Sequence, residues 1–193
     1  VAFAGMARAS YLSITDWMDT TLNPDLFVAP SQDIVIRTLR FPPEMEGELR
    51  ATPGIARVQA VRNTRVVYRK TPVMIVATDI GSVAETTRVD PVSGDADTMY
   101  ARTADGSGLM VSDMLAELQH LKVGDTLELP APQGILRLPI VGVVVDYSDQ
   151  QGAILMDRKV FMRYWRDDTV NVFRVYLAHG AQVPEVKQRI LER

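Results

Sequence analysis

The sequence predicts an α+β body in two lobes, and three observations predict it. Thr126-Leu127-Glu128-Leu129 and the stretch from Ile55 to Arg69 alternate at the period of a strand. Between such stretches lie segments of helical period, such as Asp113 to His120 with Met114, Leu115, Leu118 and Leu121. A turn-rich stretch from Ile80 to Gly108, holding Gly81, Pro91, Gly94, Gly106 and Gly108 with several acids, separates the two series.

In chain order, Ala4, Ala7, Tyr11, Ile14 and Met18 form a narrow apolar seam, so the first element is a helix over residues 4–22. Asn23-Pro24 ends it, because the residue before proline is driven out of the α region. A short strand from Leu26 to Ala29 follows. Pro42-Pro43 opens a helix from Glu44 to Ala51, whose early acids Glu44, Glu46 and Glu48 favour its positive end, and Pro53-Gly54 closes it. Ile55 to Arg69 carries Val58, Ala60, Val66 and Tyr68 on one parity, as a half-exposed strand does; Lys70-Thr71-Pro72 turns the chain into an antiparallel partner, Val73 to Thr78.

Residues 80–108 read as turns and irregular structure. Leu109 to Val111 is a strand and Ser112 the N-cap of the helix from Asp113 to His120. After a turn at Val123-Gly124-Asp125 come a strand at Thr126 to Leu129, a loop from Pro130 to Gly134, and a strand from Ile135 to Asp146. The last series is a strand at Ala153 to Met156, a helix at Asp157 to Trp165, a strand at Asn171 to Leu177, and a helix at Val183 to Leu191 with Pro184 in its first turn. Its strand-helix-strand order echoes residues 26–69 without residue-level identity.

The 193 residues are 47% hydrophobic and 23% charged, which suits a folded, water-soluble chain with a sizeable core and excludes disorder and low complexity. A net charge of −3 gives no drive toward nucleic acid or anionic lipid. Without cysteine, disulfides, thiolate metal sites and cysteine nucleophiles are excluded. The basic residues are mostly arginine but scattered, so composition bias explains them better than a binding surface. The longest apolar run, Leu138 to Val145, falls far short of the ~20 residues a membrane helix needs. Val1 to Met6 has no initiator Met and none of the marks of a signal peptide, so the chain reads as a piece of something longer.

No catalytic constellation emerges. His120 and His179 lack a second histidine at ligand spacing and read as a helix C-terminus and a turn. Ser107 lacks the glycine pattern of a nucleophile elbow, and Ser112 is most simply a cap. Asp90, Asp95, Asp97 and Asp105 miss the spacing of a calcium loop and read as a solvated loop. Asp146 with Asp149, and Asp167 with Asp168, are candidates for acid-base work only if they share a pocket. There is no phosphate-binding glycine loop.

An ordered series of marks nevertheless resembles a known family. Trp17, Thr21-Leu22 and Pro24-Asp25-Leu26-Phe27-Val28 come first, then Pro53-Gly54-Ile55 with Val58 and Arg62. Val111-Ser112, Leu115-Ala116 and Leu121-Lys122-Val123-Gly124-Asp125-Thr126-Leu127 follow. Ile140-Val141-Gly142-Val143, Asp146-Tyr147, Gly152, Met156-Asp157, Phe161, Asp167 and Asn171 complete it. Together they resemble the large extracytoplasmic domain of FtsX-like, MacB-type ABC transporter permeases.

The resemblance implies a porter-like part at residues 1–79 and 149–193, with stalk helices at both ends, and an inserted, β-rich sabre-like part at residues 80–148. The C-terminal stalk would carry Val183, Val186 and Ile190 as its apolar stripe. It implies a noncatalytic domain of a membrane protein, on the periplasmic or cell-surface side, that couples ATP-driven motion to export, lipoprotein or lipid handling, or regulation of a partner. No catalytic, cofactor or metal residue and no cofactor is implied. The implied partners are a cytoplasmic ABC ATPase, a second permease half, and a periplasmic or lipoprotein partner, with no nucleic acid. Two other readings stand beside it: a hydrolase or other small-molecule enzyme using Ser112 or the scattered carboxylates, and a ligand-binding module in a cleft between the lobes.

Overall fold

Strands with alternating side chains and helices, four of them capped by a side chain, make up the computed structural model, which describes residues 23–30 and 39–192. They are β1 (Leu26–Val28), α1 (Glu44–Arg50), β2 (Ile55–Tyr68), β3 (Thr71–Thr78), α2 (Ile80–Thr86), α3 (Ala96–Ala104), β4 (Leu109–Ser112), α4 (Asp113–Gln119), β5 (Thr126–Ala131), β6 (Gly134–Val144), β7 (Ala153–Asp157), α5 (Arg158–Trp165), β8 (Val172–Leu177) and α6 (Val183–Leu191). The helix expected over residues 4–22 lies outside the described residues.

The eight strands form one mixed sheet in the order β1-β8-β2-β3-β7-β4-β6-β5, so the fold is α+β. Its spine is β2, whose 14 residues change partner midway. Residues 55–61 pair with β8, and residues 62–68 pair with β3. The pairs β3–β7 and β4–β6 are parallel and the remaining pairs antiparallel. Between β4 and β7 the register holds only Met110↔Leu155 and Val111↔Ile154, the narrowest junction in the sheet.

Side-chain alternation sends the two residue sets of each strand to opposite faces. On one face Ile75, Val111, Ile154 and Phe161 share a core with Leu115, while Val58, Ala60, Phe173 and Val175 pack with Leu49 and Ile190. On the other face Ile80, Met99 and Tyr100 from α2 and α3 cover Met110, Val141 and Val144. Each fully buried aliphatic or aromatic side chain of this kind contributes about 1.5–3 kcal/mol relative to exposure.

Several expectations need correction. Residues 58–62 of β2 are buried on both parities, because helices cover both faces of the sheet there; the strand is not half-exposed along its length. The β2–β3 turn is Arg69-Lys70, both at positive φ, and Thr71 and Pro72 already belong to β3. A two-residue hairpin whose twist matches its strands requires that conformation at both positions, even without Gly or Asn. Residues 80–108 are not irregular throughout, since Asp79 and Asp95 accept hydrogen bonds from the Ser82 and Thr98 amides and start α2 and α3. In α4 Leu115 is buried in the core and Ala116 packs against it, while Met114 and Leu118 are exposed. In α6 Val186 is buried but Val183 is exposed. Among the described residues no helix is long and apolar enough to cross a membrane.

Candidate functional site

The residues weighed for chemistry lie apart, and local structure uses most of them. The buried Ser112 hydroxyl accepts from Leu115 N at 3.2 Å and Ala153 N at 2.9 Å, capping α4 and tying β4 to the start of β7. No base faces it. His120 ends α4 in the left-handed conformation and is exposed, as is His179. Asp95 caps α3, Asp97 pairs with Arg88, and Asp105 accepts from Ser107 N at 2.8 Å. Among the described residues no group of three or more His, Asp or Glu could hold a metal ion. Asp149 is buried against Arg65, and the exposed Asp168 is separated in role from Asp167, its neighbour in sequence. Asp146 and Asp149 therefore share no acid-base pocket.

Four of the marks in the sequence converge at one place. Arg62 lies where β2 changes partner and is 3% exposed. Its Nη2 and Nε donate to Asp167 Oδ2 at 2.7 and 3.0 Å, and its Nη1 donates to Asn171 Oδ1 at 2.8 Å and to the Asn63 carbonyl. The guanidinium carbon stands 5.8 Å from the Phe161 ring centroid. Asn171 Oδ1 also accepts from Asn63 N at 2.9 Å, so one amide oxygen joins side chain and backbone of β2. Burial pushes the Asp167 carboxyl up, but hydrogen bonds from Arg62 and Thr169 outweigh it and hold the carboxyl below the usual carboxylate range. With every polar partner bonded, this node locks the loop before β8 onto the middle of β2; it has no group free to react.

A second polar cluster is built differently. Under α2 and α3, on the opposite face of the sheet, lies a cavity of about 90 Å³ walled by apolar residues such as Val76, Ile80, Val83, Met110 and Leu155. Thr78, Thr87, Asp146 and Arg174 line it as well. Thr78 and Thr87 are 4% and 8% exposed, and their hydroxyls have no hydrogen-bond partner. Arg174 makes no hydrogen bond or ion pair with any described residue; burial pulls its guanidinium below the usual arginine value, opposed by Tyr176 and Asp146. Burial likewise pushes the Asp146 carboxyl up, against the pull of Ser148 and Arg174. These four residues come from β3, the segment after α2, the segment after β6, and β8, so their meeting depends on strand order and left no local signal.

The whole chain, residues 1–193, matches the family model of the MacB-like periplasmic core domain. An uncharacterized ABC transporter permease protein of Mycobacterium tuberculosis is 29% identical over 175 residues, which cover 88% of this chain and 20% of that protein. The chain thus spans about a fifth of that relative's length. The periplasmic region of MacB from Actinobacillus actinomycetemcomitans superposes with a TM-score of 0.61 at 9% identity, covering 86% of this chain and 79% of the other. The extracellular domain of the noncanonic ABC-type transporter YknZ from Gram-positive bacteria gives 0.58 at 13% identity, with 85% and 88% covered. At such identities these two structures speak to the fold.

Proposed function

The chain belongs to the MacB-like periplasmic core domain family, and on that premise we propose that it is the extracytoplasmic domain of an ABC transporter permease that transmits ATP-driven motion to a partner or cargo outside the membrane. The match over residues 1–193 carries this reading. In it the domain is noncatalytic, ATP is hydrolysed by a separate cytoplasmic ATPase, and two permease halves act as a pair. Export, lipoprotein or lipid handling, and control of a partner are the tasks such motion would serve.

Two features of the fold support transmission. A body that relays displacement must resist deformation, and β2 runs through both half-sheets with the Arg62 node bonded across its change of partner. We assign residues 1–79 and 149–193 to a porter-like part and residues 80–148 to an inserted sabre-like part. That division runs through the narrow β4–β7 junction, where the Ser112 hydroxyl adds a bond to Ala153 N.

The chain has no cysteine, so single cysteines introduced at the exposed Val67 or Ile135 give clean probes in the full-length gene product. A membrane-impermeant maleimide should label them in intact cells. Labelling that appears only after lysis overturns the extracytoplasmic placement. Spin labels at the same positions in a reconstituted transporter should change separation between the two halves on ATP binding; an unchanged distance overturns transmission.

A further inference from the structure

We propose that the groove between the free edges of β5 and β2 binds an extended peptide of a partner protein, which adds to β5 as a further strand and sets an acidic residue near Arg69 and Lys70. The groove belongs to the folded chain itself, and its occupancy does not depend on the domain transmitting motion.

Topology makes the two edges. β5 ends the sheet and pairs only with β6. Residues 62–68 of β2 pair with β3 alone, because pairing with β8 stops at Val61. Tyr68 of β2 shares one core with Leu127 and Leu129 of β5, so the sheet between them curls and brings its two free edges to one groove. Val67, Tyr68 and Arg69 line one lip of it, and Thr126, Glu128 and Pro130 line the other.

Prolines reveal which main-chain groups face outward. Proline has no N–H, so it occupies the non-hydrogen-bonded positions of an antiparallel pair, where each residue's own N–H and C=O point away from the neighbouring strand. Val67↔Pro72, Pro130↔Ile135 and Thr126↔Pro139 are such pairs. By alternation Arg65 and Val67 of β2, and Thr126, Glu128 and Pro130 of β5, present their main chains to the edge. Asn63 has the same parity, and its N–H accordingly leaves β3 and donates to Asn171 Oδ1. The amides of Arg65, Val67, Thr126 and Glu128 have no main-chain bond to a described residue. A row of this kind is a template for another strand.

The lips select the occupant. With a rise of about 3.3 Å, a strand spacing of about 4.8 Å and a depth of about 10 Å, one residue of extended chain takes about 160 Å³. The groove, of about 440 Å³, therefore holds about three. Edge-to-edge pairing with a second sheet meets the β2 lip and the missing donor of Pro130, whereas a single strand does not need the space beyond them. Charge fixes one end. Arg69 and Lys70 are exposed and form no ion pair with a described residue, while Glu128 is already paired with Arg137. The unanswered charge is positive, and an acidic residue on the peptide answers it.

The test adds the acetylated, amidated heptapeptide Glu-Val-Thr-Val-Thr-Val-Glu to the 193-residue chain, with amide resonances and hydrogen exchange as readouts. Saturating peptide should shift the amides of Val67, Thr126 and Glu128 and slow exchange at Thr126 and Glu128 at least tenfold. The same peptide N-methylated at its five central residues keeps the side chains, loses those donors and should bind at least tenfold more weakly. Exchanging its two Glu for Lys should weaken binding at least threefold at low salt, and Lys70→Glu should reverse that preference. Glu128→Pro removes a donor that β6 does not use, and should lower affinity at least tenfold while the chain keeps a cooperative transition. If that variant does not fold, the N-methylated peptide decides on the unaltered chain. No saturable response, equal binding of the N-methylated peptide, or unchanged affinity in the folded Glu128→Pro variant would each overturn the assignment. So would slow exchange of Thr126 and Glu128 before peptide is added, or protection that rises with protein concentration alone, since the edge is then filled by this chain or by a second copy. Equal binding of the Lys-ended peptide overturns the acidic end.

Discussion

Arg62 and Arg174 sit on neighbouring strands, β2 and β8, of one sheet, face opposite sides of it, and are treated in opposite ways. Arg62 is surrounded by Asp167, Asn171, the Asn63 carbonyl and the Phe161 ring. Arg174 has Asp146 within electrostatic reach but no hydrogen bond to a described residue, and the two threonines beside it are unbonded too. A buried cation bonded to several elements at once holds them together, and removing it leaves its partners stranded. Arg174, half-buried and without a bond to a described residue, should contribute less. The contrast separates an arginine tied to several elements from one without a bond to a described residue, although composition and sequence spacing make them look alike.

Removing the first arginine is the strongest way to break that comparison. Arg62→Met should cost about 3–5 kcal/mol in a urea unfolding titration, because the carboxylate of Asp167 and the oxygen of Asn171 lose their main donor. A loss within the range of an ordinary surface substitution would erase the distinction. Asn171→Ala should cost less, about 1–3 kcal/mol, since it orphans Asn63 N and takes one of two bonds from Arg62 Nη1, while the bonds to Asp167 and the Asn63 carbonyl survive.

The two carboxyls sharpen the comparison through pH. Asp167 has a lowered pKa in the folded chain, so its contribution is present above the ordinary unfolded carboxylate value and is lost as pH falls through its folded value. Asp146 is raised, so its contribution is complete below the unfolded value and is lost as pH rises through its folded value. Urea midpoints followed from about pH 3 to pH 7 should therefore show Asp167→Asn flattening the acid-side loss of stability. Asp146→Asn should remove a decline that runs the other way. Identical profiles for the two variants would contradict the opposed shifts.

The smallest effects belong to the cavity. Arg174→Met should change stability by less than about 1 kcal/mol, and Thr87→Val should be neutral or slightly stabilising, because an isosteric methyl ends the cost of an unbonded hydroxyl. A loss from either variant comparable to that of Arg62→Met would show that partners at this cluster carry the fold after all.

How much of this was legible in the sequence follows from the range of each interaction. Strand alternation, the cap at Ser112 and the prolines at Pro42-Pro43 and Pro184 are local, and with helical spacing they placed most strands and the helices α1, α4, α5 and α6. The starts of α2 and α3 are local as well; Asp79 with Ser82 and Asp95 with Thr98 could have revealed them, but the neighbouring glycines and prolines outweighed that signal. Arg69-Lys70 lacks the Gly or Asn that betrays a tight hairpin, so its turn was placed too late. Arg62, Phe161, Asp167 and Asn171 were visible as separate marks of a family resemblance, while their meeting at one node required the sheet. The cavity was invisible, because a threonine in a strand, one beyond a helix, an aspartate and an arginine come to line one space only when β3, β6 and β8 lie in their observed order.

Pairing between β1 and β8 sets residues from near the two ends of the chain side by side, Val28 opposite Phe173 and Leu26 opposite Val175. In a chain delivered N-terminus first, β1 and the first half of β2 have no strand to bond until β8 arrives. The β2–β3 and β5–β6 hairpins can form early from neighbouring sequence, whereas closure of the β1-β8-β2 half-sheet bears the entropy of the whole intervening loop. Refolding should accordingly show local hairpin protection before β8 protection, with the apolar face of Val58 and Ala60 exposed in the interval. During that wait the growing domain is most open to misassociation, and a chaperone acting on it would find its target there.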